Sequence, residues 1–430
     1  MYLNYGLLSL ASILNRSGYE ALVVHGHFES PEDVLNKCIG QKLLESEQPL
    51  LISVPSFYAV SWTNKFINLL KIKKPLQKII LGGRWVIGDR EDLAQKLFPQ
   101  ADLIVKGLAE NKIVDIVSRL SKTSNNLVVK SATSLDCALD YSLLLERERY
   151  HPSIEISRGC GMGCDFCQEK SEPLQPLKPP RLIVNEVENS VLDPNMNFYF
   201  ETSMFAPTET WVDEMFKTYQ TCDYDFFWRT EARVDSIKPR YMDRLYNAGL
   251  RVVDIGLESA SHRQLLAMGK TTNPTKYLQK ASDILRASFE SGVKAKVNVL
   301  LYPGETEDTI YETEYWLDKH KDYITGISSG PVIAYGWTEE ISMRKYLESL
   351  FQLGASLAKE PMIGVSLLNL SKDIDYEGSI EVANRISRKF MSSKDYFDLK
   401  SFSYFSRDYT FESFILDVKR ENGIYSFRAD

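Results

Sequence analysis

The chain has 430 residues, 44% of them hydrophobic and 25% charged, with a formal net charge of −7. That length supports about two to three domains, each able to bury a core without disulfide staples, and the charge balance gives no general reason to expect nucleic acid or an acidic membrane as partner. No window approaches the run of about 18 apolar residues that a spanning helix needs.

The first stretch, "MYLNYGLLSLASILNRSG", lacks the basic leader and small-residue cleavage site of a signal peptide. Its Leu7, Leu8, Leu10, Ala11 and Leu14 recur at helical spacing, which predicts an amphipathic core helix closed by Gly18. A cytoplasmic, reducing location is therefore expected, where clustered cysteines serve a metal or catalysis rather than disulfides.

Short apolar runs then alternate with helical patterns: "EALVV" (20–24), "PLLISVPS" (49–56), "KIILGG" (78–83) and "DLIVKG" (102–107). Such runs predict an α/β domain over 1–125 with a doubly wound parallel sheet. A ligand of such a sheet sits beyond the carboxyl ends of the strands, which here are marked by Ser53, Ser56, Gly82, Gly83 and Gly107. Polar "SKTSNNLVVKSATS" (121–134) opens a linker assigned to 126–150.

From 151 to 340 the alternation resumes. Six strands are read at "IEIS" (154–157), "NFYFET" (197–202), "FFWRTEARV" (226–234), "VVDIGLES" (252–259), "KAKVNVLLYPGE" (294–305) and "ITGISSGPVIAY" (324–335). Strands and helices in that order predict a partial (β/α)6 barrel with its site at the strands' carboxyl ends. Residues 341–430 begin with a helical pattern and continue into an aromatic-rich stretch without steady periodicity, read as a small α-rich cap facing substrate.

Three of the six cysteines stand in "SRGCGMGCDFCQEK", directly after the first barrel strand: Cys160, Cys164 and Cys167, spaced Cys-x3-Cys-x2-Cys. Three thiolates could bind zinc, but a structural zinc site takes four ligands and no fourth follows at finger spacing. A 4Fe-4S cluster on three thiolates keeps one iron open for a small ligand's amino and carboxylate groups. Gly159, Gly161 and Gly163 permit the tight backbone around such a cluster, and Phe166 offers an aromatic face beside it. The bland alternative is a loop of unrelated thiols.

On these residues the chain resembles the radical S-adenosylmethionine (radical SAM) superfamily, with its Cys-x3-Cys-x2-aromatic-Cys signature opening a β/α barrel. "EARVD" (231–235), "AGLRVVDIGLESAS" (248–261), "MGKTTNP" (268–274) and "PGETEDT" (303–309) are similar to the branch that carries an N-terminal, Rossmann-like cobalamin-binding domain. "YGLLSLASILNRSGYEALVV", "ISVPSF", "ILGGRW" and "DLIVKGLAE" resemble that domain's helix and strand ends. The resemblance implies reductive cleavage of S-adenosylmethionine to a 5′-deoxyadenosyl radical that abstracts hydrogen from substrate. It assigns Cys160, Cys164 and Cys167 to the cluster, and Phe166, Glu201, Thr202, Arg233 and Glu258 to S-adenosylmethionine. Ser53, Ser56, Gly82, Gly83 and Gly107 would then face cobalamin. Structural alternatives are an ion pair of Arg233 with Glu231 or Asp235, and a helix-cap role for Glu258.

The chain carries no Asp-x-His-x-x-Gly motif for a lower cobalt ligand; His25 and His27 in "VVHGHFES" stand at another spacing and read as loop histidines. It also begins at the helix that a further strand normally precedes, so a shortened sheet is expected. Tyr302 stands where a Gly is usual before "PGE", whose turn is assigned shape rather than chemistry. Cys222 is a candidate hydrogen-atom donor, against the commoner reading of a small buried hydrophobe. "LKPPRL" (177–182) reads as a rigid loop near the barrel mouth.

The expected overall reaction is cobalamin-dependent methylation at an unactivated C–H of a peptide or natural product. The alternatives are a cobalamin-independent radical epimerase or bond-forming enzyme, and a non-catalytic iron-sulfur scaffold or redox sensor. The implied partners are a flavodoxin- or ferredoxin-type electron donor and a peptide or small-molecule substrate, with no nucleic acid and no membrane.

Overall fold

The structure, a computed structural model, describes residues 3–26, 29–83, 91–121, 133–190, 196–421 and 423–429. His27, residues 84–85 of "ILGGRW" and most of the polar stretch at 121–134 lie outside the described residues.

The predicted first helix runs Tyr5–Arg16, with the Asn4 side chain accepting from the Leu7 N–H at its start. Gly18 ends it at φ +83°, a left-handed turn that costs glycine nothing. Three strands follow, β1 (Leu50–Ser53), β2 (Ile79–Gly82) and β3 (Leu103–Ile104), parallel and in the order β1-β2-β3. Alternate side chains go to opposite faces. Ile79 and Leu81 pack against the helices Pro31–Gly40, Ala59–Lys73 and Glu91–Leu97. Ile80, with Leu51 and Leu103, packs against Tyr5–Arg16 and Ile113–Leu120. Both faces are therefore covered, which is why these strands read as unbroken apolar runs.

The run at 20–24 departs from expectation. Val23 donates to the Leu143 carbonyl at 2.7 Å and accepts from Leu145 N–H at 2.9 Å, an isolated bridge outside the sheet. Its backbone is satisfied by the segment leading into the barrel, so the run ties the two units together and adds no rung to β1–β3.

The six barrel strands are β4 (Ser153–Glu155), β5 (Met196–Glu201), β6 (Phe226–Arg233), β7 (Leu250–Glu258), β8 (Lys294–Leu301) and β9 (Gly326–Pro331). They form one sheet in chain order with every neighbouring pair parallel. Outward positions are apolar and fully buried against the helices: Phe198, Phe200, Phe226, Trp228, Val253, Ile255, Val297. Trp228 stacks on Phe200 at 4.7 Å and donates its indole N–H to the Ala248 carbonyl, so a large aromatic is buried with its polar atom satisfied. The inward positions on the same strands are polar: Tyr199, Arg229, Glu231, Asp254, Lys296, Asn298.

The run predicted as one strand at 324–335 breaks after Pro331, which has no N–H to extend the ladder. Beyond it β10 (Ile333–Tyr335) leaves the barrel and joins β11 (Ser356–Leu357) and β12 (Val365–Asn369) in an antiparallel sheet ordered β10-β12-β11. Ile333, Val365 and Leu367 pack into the core of the N-terminal unit beside Phe57 and Trp62. The aromatic stretch read as aperiodic holds two helices, Ser393–Ser401 and Phe411–Arg420. Phe397, Phe405, Phe414 and Phe427 gather there into one cluster with Met391, Leu399 and Val252 of β7, so the segment plugs the amino-terminal end of the barrel. Among the described residues no helix is long and apolar enough to cross a membrane.

Candidate active site

The site grows from the end of β4. Ile156 N–H continues the ladder to the Glu201 carbonyl, and the Ile156 carbonyl accepts from Lys178 N–H at 2.7 Å. Between them the chain loops out and returns, closed by Gln175 N–H to Arg158 carbonyl at 2.8 Å and Cys160 N–H to Glu172 carbonyl at 3.0 Å. Gly159 holds φ +72°, and a Cβ there would lie 2.2 Å from the Pro173 carbonyl oxygen; no other residue fits that crossing. Asp165 N–H donates to the Met268 carbonyl at 3.0 Å, which pins the loop to the segment after β7.

All three clustered cysteines are free thiols. Arg233 Nη1 donates to Cys164 Sγ at 3.2 Å, and the Glu169 N–H to Cys167 Sγ at 3.4 Å. Cys160 Sγ lies 4.0 Å from Met204 Sδ. Among the described residues no three Cys, His, Asp or Glu side chains converge as ligands of one metal ion.

Arg233, read as a cation facing S-adenosylmethionine, is engaged by the protein along its whole fork. Nε donates to Asp235 at 3.1 Å, Nη2 to the Lys270 carbonyl at 2.8 Å, and the guanidinium lies over the Tyr277 ring. The Asp235 pair foreseen as an alternative is thus present, together with the contact to Cys164. Glu258 is no helix cap: it ends β7 at φ +67°, unusual for a non-glycine residue, and accepts from Lys270 Nζ at 2.9 Å. A Cβ on Gly256 beneath it would come 2.7 Å from Glu258 Oε1, so the glycine leaves room for the carboxylate in this position. The same ammonium lies 5.7 Å from the centre of the Phe166 ring, whose edge meets Tyr302 at 6.4 Å. Tyr302, at the position where glycine was expected, is buried, and burial pushes its phenol well up. Thr202 Oγ1, at the end of β5, accepts from Met204 N–H at 3.2 Å, with Glu201 half-buried beside it. The "PGE" turn has the shape assigned to it, with Gly304 at φ +86°.

Two expectations need correction. Cys222 lies before β6, at the end of the barrel opposite the cysteine loop. Its thiol reaches the Thr218 carbonyl at 3.6 Å, and desolvation pushes it up to about 11; it packs against the helical shell. "LKPPRL" is no mouth loop: Pro180 begins a helix, and Lys178 is buried, bound to Glu186 at 2.7 Å and to the Ser134 carbonyl at 2.6 Å.

Sequence reasoning missed two ionic networks. Arg158, one residue before Gly159, donates Nε to Glu155 at 2.7 Å and Nη2 to Glu110 at 2.5 Å, and Glu155 also accepts from Ser134. Glu110 follows β3, so the N-terminal unit is tied directly to the cysteine loop; the local signal was the basic residue preceding the triad. The second network lines the barrel. Arg229 forks onto Asp254 at 2.5 and 2.7 Å, Lys296 joins the same carboxylate at 3.0 Å, and Tyr199 donates to Glu231 at 2.7 Å. Burial alone would push the Asp254 carboxyl up, but Arg229 and Lys296 more than offset this and hold it well below the usual range. Glu231 is exposed to the lumen yet ringed by protein, and desolvation with Asp254 beside it pushes its carboxyl up.

At the strand ends of the N-terminal unit, Ser53 Oγ accepts from Asn4 Nδ2 at 2.7 Å, and the Ser56 carbonyl accepts from Ala59 N–H at 3.0 Å, starting a helix. A Cβ on Gly83 would lie 2.6 Å from the Val54 carbonyl oxygen, so Gly83 serves the crossing of its own chain. Gly107 meets nothing within 4 Å, Gly82 only the Val105 carbonyl oxygen, and Tyr58 and Leu108 nearby are exposed. His25 packs its ring on Tyr150 at 4.9 Å.

The model of the Radical SAM superfamily matches residues 154–317, the span from β4 through the helix before β9. The barrel belongs to the radical SAM superfamily. No curated protein sequence matches the chain. Among solved structures, the chain is similar to the radical S-adenosylmethionine methyltransferase TsrM from Kitasatospora setae, solved with tryptophan substrate and a S-adenosylmethionine analogue. The identity is 16% and the TM-score 0.58, over 77% of this chain and 70% of that one. It is also similar to the cobalamin-dependent S-adenosylmethionine radical enzyme OxsB, solved with aqua-cobalamin and S-adenosylmethionine, at 15% identity and TM-score 0.56. That match covers 81% of this chain but only 52% of OxsB, so the chain spans about half of that enzyme. These likenesses extend beyond the radical SAM barrel and establish the shared fold.

Proposed function

We propose that this radical SAM enzyme modifies an unactivated C–H of a peptide or natural product held in the barrel lumen, and that the overall reaction is cobalamin-dependent C-methylation. The observation that carries the reading is the cysteine loop itself: three free thiols on a glycine-turned loop at the mouth of a six-stranded barrel, two of them receiving N–H donors. When bound on Cys160, Cys164 and Cys167, a 4Fe-4S cluster supplies an electron to S-adenosylmethionine, which breaks into methionine and a 5′-deoxyadenosyl radical.

The chain's own residues prepare that step. Arg233 fixes Cys164 and, through Lys270, the loop beneath Phe166. Glu201 and Thr202 stand at the end of β5, suited to the amino group of S-adenosylmethionine. Glu258, held by Lys270 in its left-handed turn, suits an acceptor for the cofactor's hydroxyls. Converging strand-end groups of this kind orient a zwitterion and a ribose with few side chains. The electron donor in this reading is a flavodoxin- or ferredoxin-type protein. Cobalamin, as carrier of the methyl group, is assigned to the strand ends of β1–β3, where Gly82 and Gly107 leave room and Tyr58 and Leu108 offer apolar contact.

The test is anaerobic reconstitution with iron, sulfide and hydroxocobalamin, removal of unbound corrinoid, and an absorption spectrum, followed by assay of 5′-deoxyadenosine. Retained cobalamin at one equivalent with 5′-deoxyadenosine formation supports the proposal. An intact cluster without cobalamin would replace methylation by cobalamin-independent hydrogen abstraction, as in an epimerase or bond-forming enzyme. A cluster that never cleaves S-adenosylmethionine would leave a non-catalytic scaffold.

A further inference from the structure

At the amino-terminal end of the barrel, between the strands and the aromatic plug, lies a cavity of about 120 Å³. Its wall includes Arg229, Lys296 and Lys400, with Ser328 and Ser329 of β9. That volume is several times what one water needs, and Ser328 is exposed, so the cavity opens to solvent. Asp254 is shared by Arg229 and Lys296. Lys400 is different: its ammonium lies over the rings of Tyr404 at 4.3 Å and Tyr396 at 5.5 Å, and the Asp254 carboxylate that favours it is already bound by Arg229 and Lys296. Ser329 Oγ is buried without a hydrogen-bond partner. Ser329 lies with Ile327 on the outward face of β9, so the cavity wall itself offers the Ser328 hydroxyl and an excess of cations, which an anionic ligand completes.

We propose that this cavity is a subsite that anchors a carboxylate of the substrate, with Lys400 as its counter-ion. The inference rests on the reading of the barrel lumen as the substrate site and specifies the class of substrate: an organic acid. The charge balance selects an anion, since Arg229, Lys296 and Lys400 gather around the Asp254 carboxylate. Arg229 spends its fork on Asp254, so the bidentate clamp that favours phosphate is absent. The Lys400 ammonium and the Ser328 hydroxyl match a carboxylate. Burial, with Lys296 and Arg229 nearby, lowers the Lys400 ammonium to about 8 against the opposing charge of Asp254. The reach is also suitable. Arg229 and Arg233 are four residues apart on β6, or about 13 Å at the rise of a strand. Arg233 touches the cysteine loop, so an acid anchored at the floor would present a carbon roughly that far away to the cluster end of the lumen.

The test uses the full-length reconstituted protein and two probes, hippurate and its uncharged methyl ester, titrated by calorimetry into wild type, Lys400→Gln and Ser328→Ala. The expected result is binding of hippurate about tenfold or more tighter than the ester. Lys400→Gln should lose most of that preference and Ser328→Ala part of it, with Lys400→Arg restoring it. Equal binding of acid and ester to wild type, or an undiminished preference in Lys400→Gln with an unchanged unfolding midpoint, overturns the subsite. Formation of 5′-deoxyadenosine by the wild type, measured separately, tests the radical SAM reading. Cleavage without acid preference removes the subsite alone, whereas acid preference without cleavage removes the reaction and keeps the site.

Discussion

Two parallel sheets are built in this chain from the same βα unit, and they differ in what they do with their second face. The β1–β3 sheet buries both faces in aliphatic contacts, Ile79 and Leu81 to one side and Ile80 to the other. The barrel sheet buries one face as thoroughly, with Phe200, Trp228 and Val253, but lines the other with Arg229, Glu231, Asp254 and Lys296. Charges kept inside a protein need partners, so the barrel holds an ion network where the first sheet holds only core. The first unit accordingly offers polar groups at its strand ends, whereas the barrel offers them along its interior as well.

The largest effect should come where the barrel's interior meets its mouth. Cys160→Ala, Cys164→Ala or Cys167→Ala should each reduce cluster absorption and bring 5′-deoxyadenosine to background, while far-ultraviolet circular dichroism stays that of the wild type. Undiminished 5′-deoxyadenosine in Cys160→Ala would remove the barrel's claim to be the reacting half.

Next comes the ion network itself. Asp254→Asn leaves Arg229 and Lys296 facing each other in a buried position and should cost about 3 kcal/mol in urea unfolding at pH 7. The sign with pH follows from the carboxyl's depressed folded value. Its stabilisation is present above the unfolded value of about 4 and is lost as pH falls toward the folded one. The gap between wild type and Asp254→Asn should therefore narrow below about pH 4. A constant gap would mean that the charge of Asp254 is not what holds the floor of the barrel.

These contrasts differ in how well the amino-acid sequence displays them. The cysteine loop is local: three thiols, three glycines and an aromatic within a dozen residues state their own spacing. The six barrel strands are legible for a similar reason, since each is a short stretch of β-branched, aromatic and alternating apolar residues with turn residues behind it. The lumen is not legible. Arg229, Asp254, Lys296 and Lys400 are scattered over about 170 positions, and only the pairing register sets them together, with Asp254 beside Lys296 on neighbouring strands. Each alone reads as an exposed charge near a strand. The plug was missed because Phe397, Phe405, Phe414 and Phe427 pack around a shared centre from two helices and the tail, a pattern without a single period. The run at 20–24 misled in the opposite direction, since apolar composition does not say which backbone will pair with it.

The first sheet is tested by its glycines. Gly83→Ala places a methyl group 2.6 Å from the Val54 carbonyl oxygen at φ +108° and should cost about 2 kcal/mol or more. Gly107→Ala, at φ +63° with open space around it, should cost about 1 kcal/mol from backbone strain alone. If Gly107 faces a cofactor, Gly107→Ala will also weaken retention of hydroxocobalamin beyond what its small loss of stability explains. Equal retention by wild type and Gly107→Ala would move the corrinoid away from that strand end.

The smallest effect is predicted for Cys222→Ala, and it sharpens the comparison because it asks whether the barrel's outer shell shares in its chemistry. The thiol is half-buried, packs beside Tyr224 against the helical side and reaches the Thr218 carbonyl rather than the lumen. Its substitution removes one sulfur from a partly exposed position, so the loss of stability should stay near or below about 1 kcal/mol. Turnover and deuterium content of the product should match wild type. A hydrogen donor would behave otherwise: with the thiol gone, the substrate radical would persist or be quenched from another source, and the isotope pattern in deuterated solvent would change. Distance along the barrel argues for no change, since the thiol precedes the first residue of β6 while Arg233, its last, touches the cysteine loop.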